Sequence, residues 1–283
     1  MARTTVPAAD VIIDKAYPVL DHGFVRLVDY MGGDARIVQA ARVSYGEGTK
    51  SVSEDAALID HLIRNQHTSP LEQVVLTFHC KMPIFVARQW IRTRTARVNE
   101  LSGRYSVMPT EFYVPEVSDI NLQSQGNKQG RAEGVLPQAE SIQFQIEAAA
   151  QQSFSDYVEL LDQGLSREVA RINLPLSTYT EWYWQIDLNN LFRFLRLRMD
   201  AHAQKEIRVY AEVIYEIAKA VAPMAMSSFD AHIRGSVAFS AKEWAYLKEV
   251  VSGSALGTSD AFAALTFKEQ QRLTAKISTG YQT

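Results

Sequence analysis

The sequence has a single cysteine, no surplus of one charge sign and no long hydrophobic run. Because only Cys80 carries a thiol, an internal disulfide and a zinc site built from cysteines are excluded. The 29 lysines and arginines against 32 aspartates and glutamates give a net charge of −3, which excludes a basic protein that coats nucleic acid. No stretch approaches the ~18 apolar residues of a membrane span, and the N-terminus lacks a signal-peptide pattern, so we expect a soluble, cytoplasmic protein.

The composition is typical of a globular chain, and the hydrophobic pattern mixes helices with strands. With 47% hydrophobic residues in 283, the chain is long enough to bury a substantial core. β-Branched and aromatic runs predict strands over 24–31 and 74–79. Helical spacing predicts helices over 35–44, 84–92, 141–163 and 188–221, and a further helix after the Ser51/Glu54 capping box.

Turn-forming residues divide these elements without marking a linker between two halves. Asp34 is placed to cap the helix that follows it, and Gly164 is suited to end the helix over 141–163. Residues 122–141 are rich in Gln, Gly and Ser without periodicity, which predicts a long, weakly ordered loop. We therefore predict one α+β domain over 1–235 with a mixed sheet, a loop insertion at about 122–141, and a helical C-terminal extension over 236–283.

Positive charge is concentrated in one short segment, residues 88–104. This segment has five arginines, no lysine and the single acid Glu100. Guanidinium groups bind phosphate oxygens with two parallel hydrogen bonds, so the segment is a candidate phosphate site. The alternative is a solvated arginine surface neutralised by carboxylates from elsewhere in the chain, and arginine density alone does not decide between them. An RNA-binding surface is disfavoured by the net charge and by the scarcity of aromatic residues other than Trp90 and Tyr105.

Arg198 occupies an unusual position on the helix predicted from residue 188. At about 100° per residue, Leu188, Leu191, Phe192, Leu195 and Met199 share one face. Arg198 lies at the border of that face, close in angle to Leu191 and His202. A partly buried, unpaired cation is costly, so we expect either a protein carboxylate or an anionic ligand to meet it.

Other chemical signals are weaker. Residues 46–51 are glycine-rich but match neither the P-loop nor the dinucleotide fingerprint, so we interpret them as a turn. Ser69, Pro70 and Glu72 have the spacing of a helix start. Cys80 follows His79 in a predicted strand, where adjacent side chains point to opposite faces, so we expect a core thiol rather than a nucleophile.

Several linked motifs resemble the flavin-dependent thymidylate synthases. The run R-T-R at 92–94 followed by N-E-L-S-G-R-Y-S at 99–106 is similar to that family's R-H-R and S-x-R-Y signature. The resemblance continues in HTSPLEQ at 67–73, REVARINLPL at 167–176 and LNNLFRFLRLRMDAHAQKEIR at 188–208, and covers roughly residues 20–230. It implies an α+β homotetramer whose active sites lie where subunits meet.

The resemblance also implies a reaction and its binding residues. The family methylates dUMP to dTMP with 5,10-methylenetetrahydrofolate as carbon donor, NADPH as reductant and FAD as carrier; it uses neither a metal nor nucleic acid. Arg198 falls on the arginine that meets the uracil ring, and is the implied catalytic residue. The implied dUMP-binding residues are Gln89, Arg92, Glu100, Ser102, Gly103, Arg104, Arg171 and Arg198. The implied FAD-binding residues are Ser69, Arg92, Arg94, Glu100, Asp187, Asn189, Arg193 and His202.

Thr93 departs from the family pattern, since it stands where R-H-R has histidine. This leaves an alternative open, a homologue that binds flavin and nucleotide but methylates poorly. The absence of a reactive cysteine fits the flavin-dependent family, because the classical thymidylate synthases attack the uracil ring with a cysteine thiolate.

Overall fold

The chain divides into two compact units, Met1–Arg234 and Gly235–Thr283. The computed structural model describes residues 5–43, 52–126, 128–252 and 260–279. Ser51 and the turn predicted over 46–51 lie outside these residues. None of the helices in the described ranges is both long and apolar enough to cross a membrane.

A five-stranded sheet forms the centre of the first unit. Its strands lie in the order β1, β2, β3, β7, β4, and every neighbouring pair is antiparallel. The prediction of an α+β fold is confirmed, but the prediction of a mixed sheet is wrong. A short turn over residues 20–22 joins β1 to β2, as antiparallel neighbours allow, whereas longer segments that contain helices separate β2 from β3 and β3 from β7. The strands are β1 (Ala16–Val19), β2 (Gly23–Met31), β3 (Val75–Pro83), β4 (Arg97–Glu100) and β7 (Tyr179–Asp187).

Strand β7 was not predicted, although it lies inside the sheet between β3 and β4. Its residues alternate in burial, with Thr180, Trp182, Trp184 and Ile186 at most 2% exposed and the residues between them less buried. This period of two is the pattern of a strand with one face on the core. The strand positions the site because it directly precedes helix α7 and pairs with β4.

Two helices cover the buried face of the sheet, where a single long helix was predicted over 188–221. Helix α7 (Leu188–Arg198) ends before residue 199, and α8 begins at residue 205 and runs over Lys205–Val221. Between them, the Asp200 carboxylate accepts hydrogen bonds from the His202 backbone N–H and ring at 2.8 and 2.9 Å. Such local bonds compete with helix continuation and explain the break. The predicted apolar face of α7 is confirmed, since Leu188, Leu191, Phe192 and Leu195 are buried.

Helix α4 (Ile84–Trp90) ends in the largest aromatic cluster of the core. Trp90 is fully buried, and its ring centroid lies 5.4 Å from that of Trp182 and 5.2 Å from those of Trp184 and Phe194. Large aromatic rings in edge and stacked contacts make such clusters rigid. The arginine segment therefore emerges from a firmly packed helix end, and Trp90 is not available to stack on nucleic-acid bases.

Asp34 lies at the start of helix α2 (Asp34–Arg42), but it does not cap that helix as predicted. Its carboxylate oxygens accept the backbone N–H groups of Met224 and Ala225 at 2.8 and 3.0 Å. These residues begin helix α9 (Pro223–Phe229), so Asp34 satisfies the free N–H groups of a helix 190 residues away in sequence. Burial raises the pKa of its carboxyl, while the two N–H bonds oppose that shift.

Residues 122–141 contain regular structure rather than the weakly ordered loop predicted. Strands β5 (Asn121–Gln123) and β6 (Arg131–Val135) form an antiparallel hairpin, and helix α5 (Ala139–Asp162) begins before residue 141. The side-chain amide of Gln123 takes the place of some backbone hydrogen bonds between the two strands, because it donates to the backbone carbonyls of Lys128 and Gly130 at 2.9 Å each. The polar composition therefore reflects a small, exposed hairpin rather than missing structure.

The remaining helices complete the two units. Gly164, directly after the Gln163 cap of α5, has φ +86°, as its predicted role in ending the helix requires. The other helices of the first unit are α1 (Pro7–Asp10), α3 (Val52–Arg64) and α6 (Arg167–Ala170). The second unit contains α10 (Ala241–Ser252), α11 (Asp260–Ala263) and α12 (Phe267–Thr279).

Candidate active site

The arginines of the segment are exposed, and most of them meet no carboxylate in the part of the chain that the structure describes. Arg88, Arg92 and Arg94 make no ion pair with any residue in the described ranges. Among those residues, the Arg97 side chain donates to the side-chain oxygen of Gln185, at 3.4 Å. Arg104 pairs with Glu168 at 3.1 Å, but both side chains are more than half exposed, where ion pairs contribute little. The interpretation of a carboxylate-paired arginine surface is therefore not supported.

Arg198 is half-buried and meets a backbone carbonyl instead of a carboxylate. Its Nη2 donates to the Gln89 carbonyl oxygen at 2.8 Å, and it forms no ion pair among the described residues. That carbonyl lies in the last turn of α4, where helix carbonyls lack intrahelical partners and favour a cation. Desolvation by burial lowers the pKa of Arg198 from its ordinary value. The expected anionic partner is thus absent from the described part of the chain, which leaves the charge free for a ligand.

A second group of predicted residues meets around Gly103. A Cβ atom at Gly103 would lie 2.9 Å from Met108 Sδ and 3.0 Å from Arg171 Cδ, so the backbone, Met108 and the Arg171 side chain pack closely here. Ser102 Oγ accepts the backbone N–H of Arg104 at 3.3 Å. Within the described ranges, no hydrogen bond or ion pair joins this group to the Arg198 group.

Glu100 connects the arginine segment to the sheet. It ends strand β4, and its Oε1 accepts the hydroxyl hydrogen of buried Thr180 at 2.9 Å. The following N–H, that of Leu101, donates to the Glu181 carbonyl at 2.8 Å. Glu100 is therefore fixed at the sheet edge beside the segment that leads to Ser102 and Arg104.

The residues predicted to bind flavin are spread over three places. Ser69 is exposed beside a 3₁₀ helix, Leu71–Gln73, so a short helix does start there, but Pro70 rather than Ser69 precedes its first residue. Ser69 lines a cavity of about 410 Å³ together with Arg36 and Gln73. Arg92, Arg94 and Glu100 lie in the arginine segment, and Asp187, Asn189, Arg193 and His202 lie on or near α7.

Asp187 and His202 form side-chain hydrogen bonds, whereas Asn189 and Arg193 form none with other described residues. Asp187 caps α7, because its two carboxylate oxygens accept the backbone N–H and side-chain amide of Asn190 at 2.9 and 2.7 Å. His202 is largely exposed, and its Nδ1 lies 2.9 Å from Asp200. Arg193 is exposed on α7 and makes no ion pair with the described residues.

Cys80 is a core thiol, as predicted. It is fully buried, and burial raises the pKa of its thiol, so the thiolate needed for nucleophilic attack is strongly disfavoured. His79 lies on the opposite face of β3 and bonds to Glu181 at 2.9 Å. The predicted separation of the two side chains is confirmed.

Gln204 was not predicted as a site residue. Its side-chain oxygen accepts a hydrogen bond from the side-chain amide of Gln89. The backbone carbonyl of Gln89 in turn accepts the hydrogen bond from Arg198. Gln204 lies inside the run 188–208 that resembles the family, but its residue type does not distinguish it from other polar positions. A cavity of about 840 Å³ beside the following residue, Lys205, is lined by none of the predicted site residues, so cavity size does not locate this site.

The chain matches a known family and solved structures over most of its length. Residues 26–224 match the family described as "Thymidylate synthase complementing protein". The flavin-dependent thymidylate synthase of Treponema denticola is 59% identical over 95% of this chain and 100% of that protein. That of Treponema pallidum is 55% identical over 100% of this chain and 91% of that protein.

A solved structure adds evidence for the fold of the first unit. The crystal structure of a UMP/dUMP methylase, PolB from Streptomyces cacaoi, bound with 5-Br dUMP is 31% identical and has a TM-score of 0.70. The match covers 77% of this chain and 99% of that one. The resemblance inferred from the arginine motifs is thus confirmed: the chain belongs to the thymidylate synthase complementing protein family, together with the flavin-dependent thymidylate synthases.

Proposed function

We propose that this protein is an FAD-dependent thymidylate synthase that methylates dUMP to dTMP. The observation that carries the proposal is the half-buried Arg198, which meets a carbonyl and no carboxylate of the described residues, in a chain 59% identical to a flavin-dependent thymidylate synthase. The proposed cosubstrates are 5,10-methylenetetrahydrofolate for carbon and NADPH for hydride. The proposed compartment is the cytoplasm.

The nucleotide is held by groups that match an anionic ligand. Arg92, Arg104 and Arg171 supply charge for the phosphate, because guanidinium groups bind phosphate oxygens bidentately. Gly103 lets Met108 and the Arg171 side chain pack against the backbone of the nucleotide-binding segment, where a Cβ atom would clash with both. Gln89, Glu100 and Ser102 supply hydrogen bonds to the nucleotide.

Arg198 supplies the central catalytic effect. Methylation needs electron density at uracil C5, which rises as the imide of the ring becomes negative. A cation already held by a carbonyl, and partly removed from water, stabilises that developing charge without rearrangement. No cysteine is needed for this activation, which agrees with the buried, unreactive Cys80.

The unpaired arginines also fit a flavin dinucleotide. Arg92, Arg94 and Arg193 are exposed cations without carboxylate partners in the described ranges, as a pyrophosphate requires. Ser69, Glu100, Asn189 and His202 would add hydrogen bonds, and Asp187 would act by fixing the start of α7. When bound, FAD carries the hydride from NADPH to the methylene group.

We also propose a homotetramer with active sites shared between subunits. The Arg198 group and the Gly103 group are not joined by a hydrogen bond or ion pair in the described ranges. A site in which one subunit supplies Arg198 and another supplies Ser102, Gly103 and Arg104 would bring both groups to one nucleotide.

The alternative, a binding protein with impaired methylation, is not favoured. Thr93 is half-buried, and its backbone N–H donates to the Trp90 carbonyl at 2.9 Å, a contact that does not depend on the side chain. Threonine therefore maintains the turn between the two arginines as histidine would.

An anaerobic assay tests the proposal directly. The purified protein, supplied with FAD, dUMP, 5,10-methylenetetrahydrofolate and NADPH, is expected to reduce flavin and form dTMP. Omission of dUMP is the control for product formation. Tight binding of FAD and dUMP without dTMP would contradict the proposal, and recovery of turnover by Thr93→His would assign the loss to that position.

A further inference from the structure

A chain of contacts leads from Arg198 to the start of helix α8. Arg198 donates to the Gln89 carbonyl at 2.8 Å, and the Gln89 side-chain amide donates to the side-chain oxygen of Gln204. Gln204 directly precedes α8, and its own carbonyl accepts the backbone N–H groups of Ile207 and Arg208 at 3.2 and 3.1 Å. The position of Gln204 is therefore set by the first turn of α8.

That first turn is held by ionic contacts with a separate part of the chain. Lys205 Nζ lies 2.6 Å from both carboxylate oxygens of Asp119. Glu206, only 1% exposed, accepts hydrogen bonds from Arg131 Nη2 and from the Tyr113 hydroxyl at 3.2 Å. Arg131 belongs to strand β6, so the β5–β6 hairpin is attached to α8 through an ion pair whose carboxylate is buried and whose arginine side chain is 34% exposed.

Glu206 needs its cation because an unpaired, buried carboxylate would cost free energy. Burial would raise the pKa of Glu206, but the hydrogen bond and the positive charge of Arg131 hold it below its usual range. A buried carboxylate that loses its cation is left uncompensated, and the surrounding structure rearranges to solvate it. Loss of Arg131 therefore acts on the first turn of α8 and on Gln204.

We propose that the β5–β6 hairpin positions the catalytic arginine through Arg131, Glu206, Gln204 and Gln89. Arg131, Glu206 and Gln204 are positioning residues in this arrangement, since they orient Arg198 without touching the nucleotide. The inference rests on the proposed role of Arg198 in dUMP methylation. It assigns a function to the hairpin.

Gln204→Ala is the primary test because Gln204 is exposed and its truncation leaves the core intact. Misplacement of a catalytic group by about 1 Å lowers rates by up to ~100-fold, so kcat is expected to fall about 10-fold to 100-fold. The KM for dUMP and the melting temperature are expected to change little, since Arg198 acts mainly in the transition state. Lys219→Met, which removes an exposed ion pair at the far end of α8, is the matched control.

Two further variants separate positioning from folding stability. Arg131→Lys keeps a cation for Glu206 and is expected to restore most of the kcat that Arg131→Met loses. In an Arg198→Lys background, Gln204→Ala is expected to lower kcat less than about twofold, because coupled residues show non-additive effects.

The outcomes distinguish this inference from the proposed function. If the parent protein forms no dTMP, the proposed function fails. If the parent is active but Gln204→Ala retains its kcat, the positioning inference is overturned. An equal fall in kcat in the parent and Arg198→Lys backgrounds would also overturn it, since Gln204 would then act independently of Arg198.

Discussion

Arg198 differs from the other arginines of the site in its surroundings. It is half-buried and bound to a carbonyl, whereas Arg92, Arg94 and Arg104 are exposed. Its position at the border of the apolar face was readable from helical angles, because α7 keeps regular geometry from residue 188 to 198. The identity of its partner was not readable, since Gln89 comes from a part of the chain 109 residues away.

Substitution of Arg198 is expected to affect chemistry more than folding. Arg198→Ala removes the charge that stabilises the developing anion, so kcat is expected to fall by about 100-fold to 1,000-fold. Steady-state dTMP formation, with circular dichroism for folding, measures this. Arg196→Ala, on the exposed side of the same helix, is the control and is expected to retain parental turnover. Parental turnover in Arg198→Ala would remove its catalytic assignment.

Cys80 is expected to be dispensable for catalysis. Cys80→Ala should retain dTMP formation, while the lost packing lowers the free energy of unfolding by about 1 kcal/mol. The native protein should also fail to react with a thiol reagent until denatured, because Cys80 is fully buried. Inactivation of the folded enzyme by such a reagent, with protection by dUMP, would show instead a thiol in the site.

At the scale of elements, hydrophobic periodicity predicts most helices and strands, whereas hydrogen bonds of single side chains decide where some of them end. Strand β2 and helices α4 and α5 follow from short-range periodicity. The alternation of Thr180, Trp182, Trp184 and Ile186 carries the same kind of signal for β7, and it was overlooked among the polar residues between them. The break between α7 and α8 depends on Asp200 side-chain bonds, which hydrophobic periodicity does not reveal.

Asp34 is expected to stabilise α9 rather than α2. Asp34→Ala leaves the Met224 and Ala225 N–H groups without their acceptor and should lower the free energy of unfolding by about 1–2 kcal/mol. Asp34→Asn keeps an acceptor oxygen and should lose less. Urea unfolding of the three proteins at neutral pH measures both differences. Equal stability of Asp34→Ala and parent would contradict the assignment.

The Glu206 contact is expected to depend on pH. Its pKa is lower in the folded than in the unfolded protein, so protonation favours unfolding. Its contribution is fully present above the unfolded pKa, about 4.3, and is lost as pH falls through the lower folded value. The difference in unfolding free energy between parent and Glu206→Gln should therefore narrow below about pH 4. Urea titrations at several pH values measure it, and a constant difference would contradict the pairing.

At the scale of the whole molecule, mixed subunits test whether sites are shared. Arg198→Ala and Arg104→Ala should each be nearly inactive alone. If each site takes these two arginines from different subunits, co-assembled variants should regain about a quarter of the parental activity, because random assembly leaves that fraction of sites intact. Each variant assembled only with itself is the control. Activity no greater than that of the controls would place both arginines in one subunit.

The family was predictable from the sequence, whereas the shape of the site was not. The motif around 92–106 identified the family because the residues that define it lie in one short segment. The order of strands in the sheet depends on β7, which joins residues far apart in sequence to β4. Likewise, the hairpin's ion pair with α8 joins Arg131 to Glu206 and cannot be read from either segment alone.

The bond between Asp34 and α9 also has a consequence for synthesis on the ribosome. The carboxylate emerges early, but its two N–H partners are made 190 and 191 residues later. In a growing chain, water rather than these two N–H groups must therefore solvate the carboxylate until almost all of the first unit has been translated. The contact can form only after Met224 and Ala225 have been made, so the joining of α2 to α9 is a late event in synthesis.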